Sequence, residues 1–272
     1  EDAGPNPSPS AIVSSPPAMA TVTEMAHREN RFVDFNVEPL MPWMLSTEGP
    51  KLAVADLSGN GRSAIYLCAA KGQQGQLWEG DGKTWSQIQV PDFQDDFLRE
   101  DADALFFDAD NDSDLDLYVV SGGGEYREGA ELLQDRLYLN LGKGRFEKAV
   151  DALPEIALNG SCVVAADFDE DGDTDLFVGS RSVPGSYGLS PRSVFLRNDG
   201  AGHFAEDTAI WNGQPAELGM VTDALWLPEA KALVVAGVDP PHAALADLPL
   251  DLVEAAEHLP DHRVRALVLL VL

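Results

Sequence analysis

Basic residues are scarce in this chain. Lys and Arg number 18 against 46 Asp and Glu, which leaves a formal charge of −28 over 272 residues. A chain of that sign is repelled by phosphate backbones and by anionic membrane surfaces, which argues against nucleic acid as a partner. Cysteine is nearly absent. Cys68 and Cys162 each sit in an apolar run and read as two buried free thiols rather than a disulfide, so they leave the redox compartment open. No apolar run reaches the about 18 residues that membrane insertion as a helix requires, and Arg265 to Leu272 is too short to span. Catalytic signatures are missing as well. There is no Gly-x-Ser-x-Gly, no phosphate loop and no dinucleotide fingerprint. The five histidines (His27, His203, His242, His258, His262) share no metal-ligand spacing with cysteine, and Pro260 separates His258 from His262.

Hydrophobic residues make up 44%, a globular proportion, and 24 Gly with 18 Pro suit many short strands joined by turns. The length allows one large all-β domain or two smaller ones. Residues 1–24 are rich in Pro, Ser and Ala and read as a disordered linker. The chain begins at Glu1 rather than Met, so a fragment, or a chain without its leader, is expected.

Aspartate is abundant, and its placement repeats. Leu52-Ala-Val-Ala-Asp56-Leu-Ser58-Gly-Asn60-Gly-Arg-Ser-Ala64 aligns with Ala104-Leu-Phe-Phe-Asp108-Ala-Asp110-Asn-Asp112-Ser-Asp114-Leu-Asp116 and with Val163-Val-Ala-Ala-Asp167-Phe-Asp169-Glu-Asp171-Gly-Asp173-Thr-Asp175. A fourth copy, Asp223-Ala-Leu-Trp-Leu227, has lost the first aspartate. The first positions, 56, 108, 167 and 227, lie 52, 59 and 60 residues apart, a blade-sized period. Each of the first three units then carries an apolar alternating run, a Gly/Asn/Asp turn and a closing aromatic: Gln76 to Trp85, Arg136 to Phe146, and Ser193 to Phe204. That pattern is a β-hairpin. Each unit is therefore a hairpin around the Asp-rich turn followed by a second hairpin. A four-stranded sheet of this kind needs neighbours on its faces, and radial stacking of such sheets makes a β-propeller.

Five aspartates within nine residues repel one another unless a cation sits among them. Ca²⁺ takes roughly six to eight hard oxygens at about 2.3–2.6 Å, and a tight loop aims alternate side chains inward while position seven offers its backbone carbonyl. The third loop is complete: Asp167, Asp169, Asp171, Asp173 and Asp175, with Gly172 at position six for the bend. The second keeps Asp108, Asp110, Asp112, Asp114 and Asp116 but has Ser113 at six. The first offers Asp56, Ser58 and Asn60 and has Ala64 at nine. An EF-hand is disfavoured, because Val119 and Val178 stand where its twelfth-position Glu belongs and the flanks are strand-like. The ninth-position Asp116 and Asp175 would close the cage instead. A second acidic cluster, Asp92 to Asp103, reads as an exposed loop ahead of a blade, and Gly122-Gly123-Gly124 as an inter-strand loop.

These motifs resemble the FG-GAP/VCBS-type repeats of integrin-α-like β-propellers, whose loops follow Asp-x-Asp-x-Asp-Gly-x-x-Asp-Leu. The lead-in His27 to Phe35, then Leu45 to Ala53, is similar to that of bacterial VCBS-repeat proteins of the ASPIC/UnbV-associated group. The resemblance covers roughly residues 25 to 237 and implies a seven-bladed propeller, export, and Ca²⁺ in the blade loops; it does not imply catalysis.

The resulting expectation is an all-β protein with about four blades of an incomplete propeller over residues 25–237. Ca²⁺ is expected as its structural cofactor. The expected role is non-enzymatic and extracellular or at a bacterial cell surface, with a protein or glycan ligand in adhesion, binding or scaffolding. The alternative function is the propeller domain of a secreted polysaccharide lyase or hydrolase. Residues 238–272 lose the repeat and read as a non-repeat tail of shifted-frame or otherwise non-native origin, the alternative being a short helix from Leu248 to His258.

Overall fold

The computed structural model describes residues 25–39, 41–142, 144–213, 216–238 and 266–271. The expected linker at 1–24, the Leu248 to His258 alternative, and His242, His258 and His262 lie outside the described residues.

Four antiparallel sheets follow one another along the chain. The first contains β1 (Leu52–Ala55), β2 (Ser63–Leu67), β3 (Gln76–Gly80) and β4 (Trp85–Ile88). The second contains β5 (Glu100–Phe107), β6 (Asp116–Gly122), β7 (Arg136–Asn140) and β8 (Phe146–Lys148). The third contains β9 (Asn159–Ala166), β10 (Asp175–Ser182), β11 (Val194–Asn198) and β12 (Phe204–Glu206). The fourth has three strands, β13 (Met220–Leu227), β14 (Ala232–Val238) and β15 (Ala266–Val271). Strands pair in sequence order within every sheet, and the first strands β1, β5, β9 and β13 neighbour one another in turn. This is a propeller arrangement, with the first strand of each blade innermost. In the fourth blade β15 runs antiparallel to β14, with Ala232 opposite Val271 and Gly237 opposite Ala266. It belongs to the segment expected as a non-repeat tail.

The middle strands carry continuous apolar stretches, Leu117–Val120 in β6 and Leu176–Val178 in β10, because both of their faces are buried there. In β6, Leu117 and Val119 point into the core between blades one and two, while Tyr118 and Val120 point into the core between blades two and three. In β10, Leu176 and Val178 join that second core, while Phe177 enters the core between blades three and four. Aromatic rings knit each interface. Phe93 meets Tyr66 and Tyr138 edge-on at 5.4 and 4.9 Å, Phe107 meets Phe204 at 6.1 Å, and Phe168 meets Phe195 and Trp226 at 5.2 and 5.0 Å. Cys68 and Cys162 are buried free thiols, as expected.

The lead-in runs across several blades. His27 Nδ1 lies 3.0 Å from the Cys68 carbonyl of blade one, and the Glu48 carboxylate accepts two hydrogen bonds from Arg181 of blade three at 2.9 and 2.8 Å.

One expectation is corrected here. The acidic stretch Asp92 to Asp103 is not simply an exposed loop. Asp92–Asp95 form one short helical turn whose Phe93 is buried, and Asp96 and Asp101 are themselves buried. They are tolerated because cations and donors surround them. Asp96 accepts from Arg99 Nε, Lys148 Nζ and the Tyr138 hydroxyl. Asp101 accepts from Arg136 at 2.6 Å, the Tyr66 hydroxyl at 2.8 Å and the Ala69 amide at 2.9 Å. The Tyr66 and Ala69 bonds join blade one to Asp101 of blade two, while Arg136 is its partner within blade two and Asp96 ties the connecting segment to Tyr138 and Lys148. Both side chains of the Asp101–Arg136 pair are only 3% exposed. Asp101→Ala would leave the guanidinium buried without its counter-charge, and is expected to cost about 3–5 kcal/mol in chemical denaturation. A loss under about 1 kcal/mol would show that Asp101 does not anchor this seam.

Candidate metal centre in the blade loops

Each of the first three blades joins its first and second strands through the Asp-rich loop, and the three loops share one backbone conformation. Positions four and six have positive φ in every case: Gly59 and Gly61 (61° and 80°), Asn111 and Ser113 (62° and 74°), Glu170 and Gly172 (65° and 99°). The position-six amide donates to the position-one carboxylate each time, from Gly61 to Asp56 at 2.7 Å, Ser113 to Asp108 at 3.0 Å and Gly172 to Asp167 at 3.0 Å. The position-seven amide donates to the side chain at position five, which is Asn60, Asp112 or Asp171. The left-handed bend at six is thus common to all three loops, and Ser113 adopts it without a glycine's freedom.

The bend gathers some of the aspartates and not others. In the second blade Asp108, Asp110 and Asp116 each offer a carboxylate oxygen, all within 4.8 Å of one another; Asp167, Asp169 and Asp175 do the same in the third. These are positions one, three and nine. Asp112, Asp114, Asp171 and Asp173 lie outside the two groups. The first loop offers one carboxylate, Asp56, beside Ser58 and Asn60, and that carboxylate accepts from the amides of Ser58, Asn60 and Gly61. Those amide bonds, that of Gly61 foremost, hold its acidity above that of an ordinary aspartate.

The ninth-position carboxylates are the most buried members. Asp116 accepts from the Ala109 amide at 2.8 Å and the Asn140 amide at 2.7 Å. Asp175 accepts from the Phe168 amide at 3.2 Å and the Asn198 amide at 2.9 Å. Each therefore ties the start of its loop to the end of the third strand. Burial pushes both up to about 6, and the neighbouring loop carboxylates add to the shift, Asp110 and Asp112 in one case and Asp169 and Asp171 in the other. In the second loop Asp108 Oδ1 is also buried without a hydrogen-bond partner. An orphaned carboxylate oxygen beside two further carboxylates fits a cation, and an all-oxygen set without His or Cys fits a hard one.

Four residues around the loops escaped the sequence reading. Arg197, in β11, contacts both Asp169 and Asp207, so the third loop already holds a positive charge against one of its gathered carboxylates. Leu139 occupies the equivalent place in the second blade. Asn140 and Asn198 end the third strands, and their side-chain amides reach the position-eight carbonyls of Leu115 and Thr174, both at 3.1 Å. Both open an Asn-x-Gly-x-Gly turn, Asn140 to Gly144 and Asn198 to Gly202, which is the sequence signal for this role. Asn111, at position four, donates at 2.7 Å to Asp173 of the next blade.

A separate cavity of about 790 Å³ opens at the opposite ends of the inner strands, bounded by Lys51, Glu100, Asn159 and Thr222 and by the lead-in from Trp43 to Gly49. Glu100 is pushed up to about 8, chiefly by burial and then by the carboxylates of Glu125, Glu29, Asp34 and Asp101. Its Oε2 has no hydrogen-bond partner.

Residues 108–178 match the FG-GAP-like repeat family, from the first aspartate of the second loop to β10 of the third blade. No curated protein matches the chain. Among solved structures, one described as "Structure of Dos1 propeller" aligns at 10% identity with a TM-score of 0.36, over 68% of this chain and 41% of that one. The aligned region thus spans less than half of that structure's chain.

Three substitutions test these assignments. Replacing Arg197 with Leu, the residue the second blade uses, removes the positive charge beside Asp169 and is expected to raise the third loop's affinity for divalent cations severalfold in calorimetric titration, while Ser113→Gly leaves that of the second loop equal or tighter. Weaker binding in Ser113→Gly would mean that the loop register is wrong. Glu100 keeps its proton to about pH 8 when folded and loses it near its ordinary value of 4.5 when unfolded. The folded state then binds more protons across that window, so stability falls as pH rises from 4.5 to 8. Glu100→Gln should raise stability by about 4 kcal/mol at pH 8 and change it little at pH 4.5. Equal gains at the two pH values would contradict the assignment.

Proposed function

We propose that this chain is a Ca²⁺-binding, non-catalytic propeller of the VCBS-repeat, ASPIC/UnbV-associated kind, exported to the bacterial surface or beyond it. There it binds a protein or glycan ligand or serves as a scaffold. The observation that carries the reading is the pair of gathered carboxylate groups, Asp108/Asp110/Asp116 and Asp167/Asp169/Asp175. They recur one blade apart in loops of one conformation, inside the stretch that matches FG-GAP-like repeats. Ca²⁺ suits them better than Mg²⁺ because it accepts an irregular, oxygen-rich shell, including carbonyls and water, without demanding octahedral geometry. Bound there, the ion would neutralise charge that otherwise opposes folding. It would also fix the loop against the ninth-position carboxylate and hence against the third strand.

The acidic surface supports the remainder of the reading. A net charge of −28 disfavours nucleic acid, and no helix among the described residues is long and apolar enough to cross a membrane. The cavity on the face away from the loops has a volume typical of ligand pockets and both charged and apolar walls, which makes it the place for a ligand.

Extracellular modules bind Ca²⁺ with Kd of about 10⁻⁴–10⁻³ M. At roughly tenfold excess over Kd, one site adds about 1.4 kcal/mol. Ca²⁺ is therefore expected to raise the melting temperature and EDTA to lower it. Asp167→Ala should remove most of one increment, and Asp56→Ala should change little. Calorimetry without Ca²⁺ uptake at millimolar concentration would end the proposal.

A further inference from the structure

The two carboxylate groups are joined across the blade interface by a short chain of hydrogen bonds. Asp116 of the second loop accepts from the Ala109 amide at 2.8 Å. The carbonyl of that same Ala109 accepts from the side-chain amide of Asn198 at 2.8 Å. The backbone amide of Asn198 donates to Asp175 of the third loop at 2.9 Å. Two residues therefore separate a gathered carboxylate of one blade from a gathered carboxylate of the next. Ala109 is wholly buried and Asn198 is 3% exposed, so water does not compete for these bonds.

A second link runs beside the first. Asn111 follows Asp110 in the chain and donates through its side chain to Asp173 at 2.7 Å and to the Gly200 carbonyl at 3.2 Å. Both acceptors belong to the third blade. The turn that carries Gly200 abuts the second loop directly, since a Cβ on Gly202 would lie 3.5 Å from Asp110 Cβ. Among the described residues blades one and two show no matching link. Asn140, the counterpart of Asn198, reaches only Leu115 within its own blade, and Gly59 stands where Asn111 does.

We infer that Asn111 and Asn198 are positioning residues that couple the two loops, so that Ca²⁺ at one raises the affinity of the other. The inference rests on the Ca²⁺ reading above. Its physical basis is shared ordering. An ion held by Asp108, Asp110 and Asp116 fixes Ala109 and Asn111, and these fix Asn198 and Asp173. The third loop then meets its ion with less freedom left to lose, and the converse holds by reciprocity. Asp173, which lies outside its own loop's carboxylate group, gains a role as the acceptor that ties the neighbouring loop down.

The test is calorimetric Ca²⁺ titration of the full chain. The wild type is expected to take up two ions with the second bound at least about fivefold more tightly than the first, after statistical correction. Asp110→Asn and Asp169→Asn each leave one site, whose isolated Kd should be weaker than that second step by the same factor. Asn111→Gly keeps the positive φ while removing the amide. It should cut the coupling factor without moving the isolated Kd of either site, measured in the Asp110→Asn and Asp169→Asn backgrounds. Asn198→Ala should abolish the coupling, with circular dichroism confirming a folded chain. Two ions bound independently, or coupling untouched by Asn111→Gly, would overturn this inference and leave the Ca²⁺ reading standing. No uptake at all would remove both.

Discussion

Every blade of this protein has two apolar faces and no means of covering either by itself. That constraint governs the rest. The middle strands alternate their side chains between two cores, so Leu117 and Tyr118, neighbours in sequence, belong to different interfaces. A blade is thus stable only as a neighbour of another blade. Polar groups near the seams must then be satisfied there: Asp101 accepts from Tyr66 and Ala69 of blade one and from Arg136 of its own blade, and Asp96 in the connecting segment accepts from Tyr138 and Lys148. Replacing them with apolar side chains would remove the desolvation cost but also the directional bonds from Tyr66 and Tyr138 that set how the two sheets meet.

The loops solve a second problem on the same framework. Their aspartates divide the work. Positions one and five cap the amides of a tight bend, and position nine turns inward to hold the third strand. The carboxylates left crowded at one, three and nine form the charged pocket. The cost is visible in Asp116 and Asp175, both shifted to about 6 by burial with like charges nearby. The third loop offsets part of its charge with Arg197 and the second does not. The loop with the fuller glycine pattern is therefore the one with a built-in competitor for a cation.

Much of the architecture was legible in the sequence because the repeat is carried by residues with few alternatives. Aspartate at every second position, followed by Leu and an apolar run, marks the strand boundary in units two and three, and the spacing of 52, 59 and 60 residues marks the blades. The partition of the aspartates was less legible. Alternation alone treats Asp112 and Asp116 alike, whereas only the left-handed backbone at positions four and six decides which side chain turns inward. Partners distant in sequence were not legible at all. Asp101 meets Arg136 at a separation of 35 residues, and Arg181 meets Glu48 at 133. For that reason the stretch from Asp92 read as a solvated loop. The strand Ala266–Val271 lacks the hairpin that announces the other third strands, so nothing local placed it beside β14.

The lead-in bears on how the array comes apart. A row of repeats in which each unit touches only the next melts from its ends, one unit at a time. Here a segment that precedes blade one reaches the Cys68 carbonyl through His27 and then Arg181 in blade three through Glu48. The strap turns a linear array into a loop of contacts, so blade one cannot fray outward without also releasing its hold on blade three. Blades one and three, which are not neighbours in the repeat order, are thereby tied to one segment, and local opening of either must break a contact that the repeat itself does not supply.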